Sequence, residues 1–171
     1  MIKDLERDGS SPAEASLLME IADDLRGLAT DLRPPALDDL GLVPALTGLA
    51  ADGPPRVRIE LDDRTGYAAA SRLPADVELA LYRIAAEAIR NAVQHSGGTQ
   101  VTVTGVVAPD RAAIVIADDG RGIDDARLKA RQRDGHLGVS TMRQRAMLAG
   151  ATLAIDSSAA GVRVRLGWER R

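Results

Sequence analysis

The chain has 171 residues, a formal net charge of −3, 45% hydrophobic residues, 2% aromatic residues and no cysteine. That composition suits one ordinary domain with a helical extension, excludes disulfides, thiolate metal sites and cysteine nucleophiles, and leaves no basic footprint for general nucleic-acid binding. No apolar run approaches the roughly 20 residues of a membrane span and Met1 to Ser11 is no signal peptide, so the expectation is a soluble, cytoplasmic chain without membrane contact of its own.

In chain order, Asp8-Gly9-Ser10-Ser11 makes a turn-like break. Ser11 can cap a helix whose first residue is Pro12, with Glu14 as the third-position partner of a capping box. Leu17, Leu18, Ile21, Leu25, Leu28 and Leu32 then recur at three and four residues up to Pro34-Pro35, a long amphipathic helix with a definite stop. Its stripe covers either its own core or a dimer seam. A short helix follows over Gly41 to Ala50, ended by Asp52-Gly53-Pro54-Pro55. Arg56 to Leu61 alternates Val57, Ile59 and Leu61 with polar neighbours, which predicts a half-exposed strand. Pro74 opens a long helix that stops at Gly97-Gly98. Strands are expected over Gln100 to Val107 and Ala112 to Ala117, joined at Pro109-Asp110. A helix over Ser140 to Leu148 and a closing hairpin, Thr152 to Ile155 with Val162 to Leu166, complete the pattern. Helices on one face of a mixed sheet follow, an α/β two-layer sandwich.

Three stretches carry chemistry. On the long helix, Arg83, Glu87, Asn91 and His95 recur every fourth residue as a polar stripe, while Val77, Leu81, Ile84, Ala88 and Ala92 form an apolar one. A carboxylate, an amide and an imidazole one turn apart suit a hydrated Mg²⁺ held with nucleotide phosphates; a solvated face with an Arg83–Glu87 pair is the plainer possibility. Asp118-Asp119-Gly120-Arg121-Gly122 follows an apolar strand, where glycine lets backbone approach a ligand and a carboxylate can accept from an exocyclic amine, unless the segment is only a tight turn. Asp134-Gly135-His136-Leu137-Gly138-Val139-Ser140 opens a helix, which frees N–H groups for phosphate or marks an ordinary loop-to-helix junction.

Their order resembles the ATP-binding domain of sensor histidine kinases, in the superfamily that includes gyrase and the heat-shock chaperone ATPases, a Bergerat-type fold. Glu87 to His95 is similar to the N box, Asp118 to Gly122 to the G1 box, and Gly135 to Arg145 to the G2 box. Upstream, Asp31-Leu32-Arg33-Pro34-Pro35-Ala36-Leu37-Asp38-Asp39-Leu40-Gly41-Leu42 resembles the segment joining dimerisation helices to the ATP domain in the NarL-type branch. The resemblance covers about Leu25 to Trp168. It implies a partial dimerisation helix and linker over residues 1–36, favouring a homodimer seam, and an ATP-binding catalytic domain over residues 37–171.

By that resemblance, Asp118 accepts from the adenine amine, Gly120, Gly122 and Ile123 line the base and ribose, and Asn91 is the protein ligand to Mg²⁺. Gly135, His136, Leu137, Gly138 and Val139 serve the phosphates, assisted by His95. Glu87 is carried over as catalytic carboxylate. Lys129, Arg131 and Arg133 lie in what resembles the ATP lid. The chain departs from the pattern in having Gly161-Val162 where the family often has Gly-Thr, and in a compact G2 segment. Its two histidines, His95 and His136, both fall inside nucleotide boxes, so the phospho-accepting histidine is expected on a dimerisation helix this chain lacks, in a fragment or a stand-alone protein.

The expected activity is transfer of the ATP γ-phosphoryl group to that histidine, with a response regulator as downstream partner in a bacterial two-component system. An anti-sigma-factor-like serine kinase or nucleotide-switched binding module is the alternative; a scaffold that has lost nucleotide is a third reading.

Overall fold

The computed structural model describes residues 34–66, 71–123 and 138–170. The helix expected over Pro12 to Leu32, the lid residues Lys129, Arg131 and Arg133, and Gly135, His136 and Leu137 lie outside the described residues.

Two short helices come first, α1 (Pro35–Asp39) and α2 (Leu42–Thr47). Strand β1 (Arg56–Asp63) leads to the long helix α3 (Ala75–His95), then to β2 (Gln100–Ala108) and β3 (Arg111–Asp118). Helix α4 (Gly138–Leu148) and the hairpin of β4 (Thr152–Ser158) and β5 (Gly161–Glu169) complete the chain. The five strands form one mixed sheet in the order β1-β2-β3-β5-β4. Only β1 and β2 pair in parallel, because α3 carries the chain back between them; the other pairs are antiparallel.

Strand register separates the two faces. Ile59, Val103, Ile116, Val164 and Ile155 align as one row across all five strands. One residue away, Arg58, Thr102, Ala117, Arg163 and Asp156 align as another. Period-two alternation thus gives the sheet one apolar and one polar side. Helix α3 packs on β2, β3 and β5, with α2 against β1 and α4 against β4. The predicted apolar stripe of Val77, Leu81, Ile84, Ala88 and Ala92 is buried throughout, so the two-layer arrangement read from the sequence is the observed one.

One element was not anticipated. Pro34-Pro35 was expected only to stop a helix, but Pro35 also starts α1, since a proline in the first turn gives up no intrahelical bond. Leu37 of α1 is 0% exposed. The short helix is tied to α3 through Arg72, whose Nε and Nη2 meet both carboxylate oxygens of Glu78 at 3.0 and 2.6 Å. The same guanidinium donates to the Asp38 carbonyl at 2.8 Å and the Leu37 carbonyl at 2.5 Å. Hydrogen bonding to Glu78 raises the Arg72 pKa above its already high ordinary value, against the opposing effect of burial.

Because Glu78 is buried and, among the described residues, pairs with this guanidinium, Arg72→Ala leaves a poorly compensated charge inside. A loss of about 3–5 kcal/mol is expected in urea unfolding. Replacing both partners, Arg72→Met with Glu78→Leu, should recover most of it.

Candidate functional site

Helix α3 carries the predicted polar stripe with graded exposure: Arg83 half-buried, Glu87 buried, Asn91 half-buried and His95 exposed. Glu87 is 8% exposed in a helix whose neighbouring positions Ala86, Ala88 and Ile89 belong to the core. Its carboxylate is met twice. Asn91 Nδ2 donates to Oε1 at 3.0 Å, and Arg90 Nη2 pairs with Oε2. Arg90, one turn onward, thus supplies a counter-charge that the sequence reading did not include.

Gly138, at the start of α4, lies directly on this pair. A Cβ there would stand 2.6 Å from Glu87 Oε1 and 3.6 Å from Asn91 Nδ2. A side chain would displace the carboxylate, so the absence of one lets the third motif seat against the first. Val139 packs on the core by its side chain. Together these place Glu87, Asn91 and Gly138 in one locality.

The second locality is the end of β3. Asp118 Oδ1 accepts from the Gly120 amide at 2.9 Å and the Val162 amide at 3.3 Å. Among the described residues Oδ2 has no hydrogen-bond partner. The contact from position 162 is made by backbone, so the valine found there costs this carboxylate nothing. Gly120 passes so close to the C-terminus of α3 that a Cβ would overlap the Ser96 carbonyl and lie 2.6 Å from the Ser96 Cβ. Arg121 N donates to that same carbonyl at 3.1 Å. Gly122 lies against Ser157 and Ser158, and Ile123 N donates to Ser157 Oγ at 2.7 Å. The loop is thus threaded between α3 and the β4–β5 hairpin.

Asp119, adjacent in sequence, is spent differently. Its carboxylate accepts from Thr99 Oγ1 at 2.6 Å, Thr99 N at 2.7 Å and Gln100 N at 2.9 Å, fixing the start of β2. Hydrogen bonds from the Thr99 side chain and from the Gln100 and Thr99 amides hold its pKa below the ordinary 3.8. No group of three or more His, Asp or Glu among the described residues could hold a metal.

Residues 76–170 match the model of the histidine kinase-, DNA gyrase B-, and HSP90-like ATPase family. The chain belongs to this family. It is 37% identical over 139 residues to the sensor histidine kinase MctS of Rhizobium johnstonii, covering 81% of this chain and 30% of that protein. It is 36% identical over 132 residues to the histidine-protein kinase/phosphatase DegS of Bacillus subtilis, covering 73% of this chain and 33% of that one. The chain thus spans about a third of the length of these curated relatives. Among solved structures, a blue-light activated histidine kinase of Erythrobacter litoralis shares the fold with a TM-score of 0.57 at 18% identity, over 95% of this chain and 52% of that one. The family model leaves Arg72 and the two short helices outside its bounds, and Arg90 escaped the sequence reading because it stands off the every-fourth-residue stripe.

A carboxylate with a lowered pKa adds stability that is fully present above the ordinary value and is lost as pH falls through the lower, folded-state value. Asp119→Asn removes that linkage. The urea midpoint of this variant should therefore fall less steeply than the parent's as pH drops below about 4, where protonation of Asp119 loosens the parent.

Proposed function

We propose that the chain is the catalytic part of a two-component sensor histidine kinase, moving the γ-phosphoryl group of ATP to a histidine on a dimerisation helix. The observation that carries this reading is the pair of half-used polar groups flanking one helix: the Asp118 carboxylate with Oδ2 open, and the Asn91 amide with its oxygen open. Asp118 Oδ2 suits the exocyclic amine of adenine and rejects guanine, which presents a carbonyl oxygen at that place. Gly120, Gly122 and Ile123 pass alongside the base and ribose. Asn91 Oδ1 serves as protein ligand to Mg²⁺, which when bound neutralises phosphate charge.

The backbone N–H groups of Gly138 and Val139 are assigned in this reading to phosphate oxygens. Gly135, His136 and Leu137 extend the same role by sequence position, with His95 at the end of α3. Glu87 is the proposed proton acceptor. Each of its oxygens keeps a second lone pair beyond the contacts to Asn91 and Arg90, so it can take the proton of an incoming imidazole.

The histidine-bearing helix, a response regulator, a homodimer through residues 1–36 and a cytoplasmic site of action belong to this same reading. No helix among the described residues is long and apolar enough to cross a membrane. The relatives named above are histidine kinases, which lends the serine-kinase alternative no support.

Calorimetric titration with Mg-ATP and Mg-GTP tests the adenine role. The parent should prefer ATP by about ten- to a hundredfold, and Asp118→Ala should lose that preference. Equal affinity of the parent for both nucleotides would refute it. With a supplied histidine-bearing dimerisation segment, Glu87→Gln should bind ATP yet transfer phosphate at least about a hundredfold more slowly.

A further inference from the structure

Glu87, Arg90 and Asn91 occupy positions i, i+3 and i+4 of α3, so all three side chains meet on one face of the helix. The carboxylate can only accept hydrogen bonds. The Asn91 atom facing it at 3.0 Å must therefore be the NH₂ group, which turns Oδ1 away from the helix wall. Orientation of an amide oxygen decides whether a cation meets a lone pair or two N–H dipoles. That orientation depends on Glu87 being held in place.

The second oxygen of Glu87 is held by Arg90, whose side chain is 31% exposed against 11% for that of Glu87. The guanidinium forms an ion pair with a carboxylate set among core residues. Without it, the carboxylate is no longer held on its Arg90 side and can turn toward solvent. Once turned away it no longer contacts Asn91, and the amide is free to flip.

We propose that Arg90 is a positioning residue for the metal ligand: its ion pair holds Glu87 in the orientation that presents the Asn91 carbonyl oxygen to Mg²⁺. This rests on the reading of Asn91 as that ligand. Arg90 touches neither nucleotide nor metal in this scheme and acts through two side chains.

The test is calorimetric titration of the chain with ATP, once in excess MgCl₂ and once in EDTA, for the parent, Arg90→Ala, Arg90→Lys and Asn91→Ala. Arg90→Ala should lose about tenfold of the affinity that Mg²⁺ adds, the size usual for groups that orient a metal ligand, while its affinity in EDTA equals the parent's. Arg90→Lys, which keeps the charge, should regain most of the loss. Thermal unfolding of each variant separates this from a folding defect, and Arg90→Lys provides a folded comparison should the alanine variant be unstable. A parent-like magnesium gain in Arg90→Ala, beside a lost gain in Asn91→Ala, overturns the role of Arg90 and leaves the ligand in place. Equal losses with and without Mg²⁺ in Arg90→Ala also overturn it. An undiminished gain in Asn91→Ala removes the ligand assignment and this inference with it.

Discussion

A carboxylate inside the wall of the helix that also builds the core is the constraint on which the rest of the structure turns. Glu87 sits between Ala86 and Ala88, both of which pack into the interior. Leaving such a charge unmet costs several kcal/mol, more than a domain of this size can lose lightly. The chain meets it locally with Arg90 and Asn91, and then seats the start of α4 on top without a side chain. One helix thereby serves two ends: its alanine-rich face lets the sheet approach closely, and its opposite face keeps an oriented polar group against Gly138 of α4.

The glycine loop after β3 solves a different problem. It has to pass between the end of α3 and the β4–β5 hairpin, where Gly120 leaves no room for a side chain against Ser96. Two adjacent aspartates divide the work there. Asp119 is consumed by the backbone and hydroxyl of Thr99 and the amide of Gln100, which locks the strand entry. Asp118 spends a single oxygen on Gly120 and Val162 and keeps the other. A fixed loop and an open acceptor therefore arise from neighbouring residues of the same type, and the proposed reading of a purine amine uses the one that is left incomplete.

Much of this was legible in the residues. The long helix was placed to within a residue because Pro74 and Gly97 punctuate it and its apolar positions keep helical spacing without a break. The strands followed from strict alternation, Val57, Ile59 and Leu61 being the plainest case. What escaped notice lacks periodicity. Arg72 stands in a short connection with no pattern, and its grip on Glu78 and on the carbonyls of Leu37 and Asp38 exists only once α1 and α3 are side by side. Helix α1 hid behind a Pro-Pro pair that signals an ending as well as a beginning. Arg90 was passed over because the stripe was followed at four-residue steps, whereas its contact with Glu87 spans three. That the backbone claims Asp119 was not read from the residues, since an Asp-Asp pair says nothing about which carboxylate the backbone will take.

The central claim is that a purine triphosphate fits between α3 and the glycine loops, reading Asp118 at one end and Asn91 at the other. A crystal structure of the chain with a nonhydrolysable ATP analogue and Mg²⁺ addresses it directly. The account predicts the adenine amino group within hydrogen-bonding distance of Asp118 Oδ2, and the ion on Asn91 Oδ1 with Nδ2 still turned to Glu87. A nucleotide bound elsewhere, or an ion whose shell excludes Asn91, would contradict it.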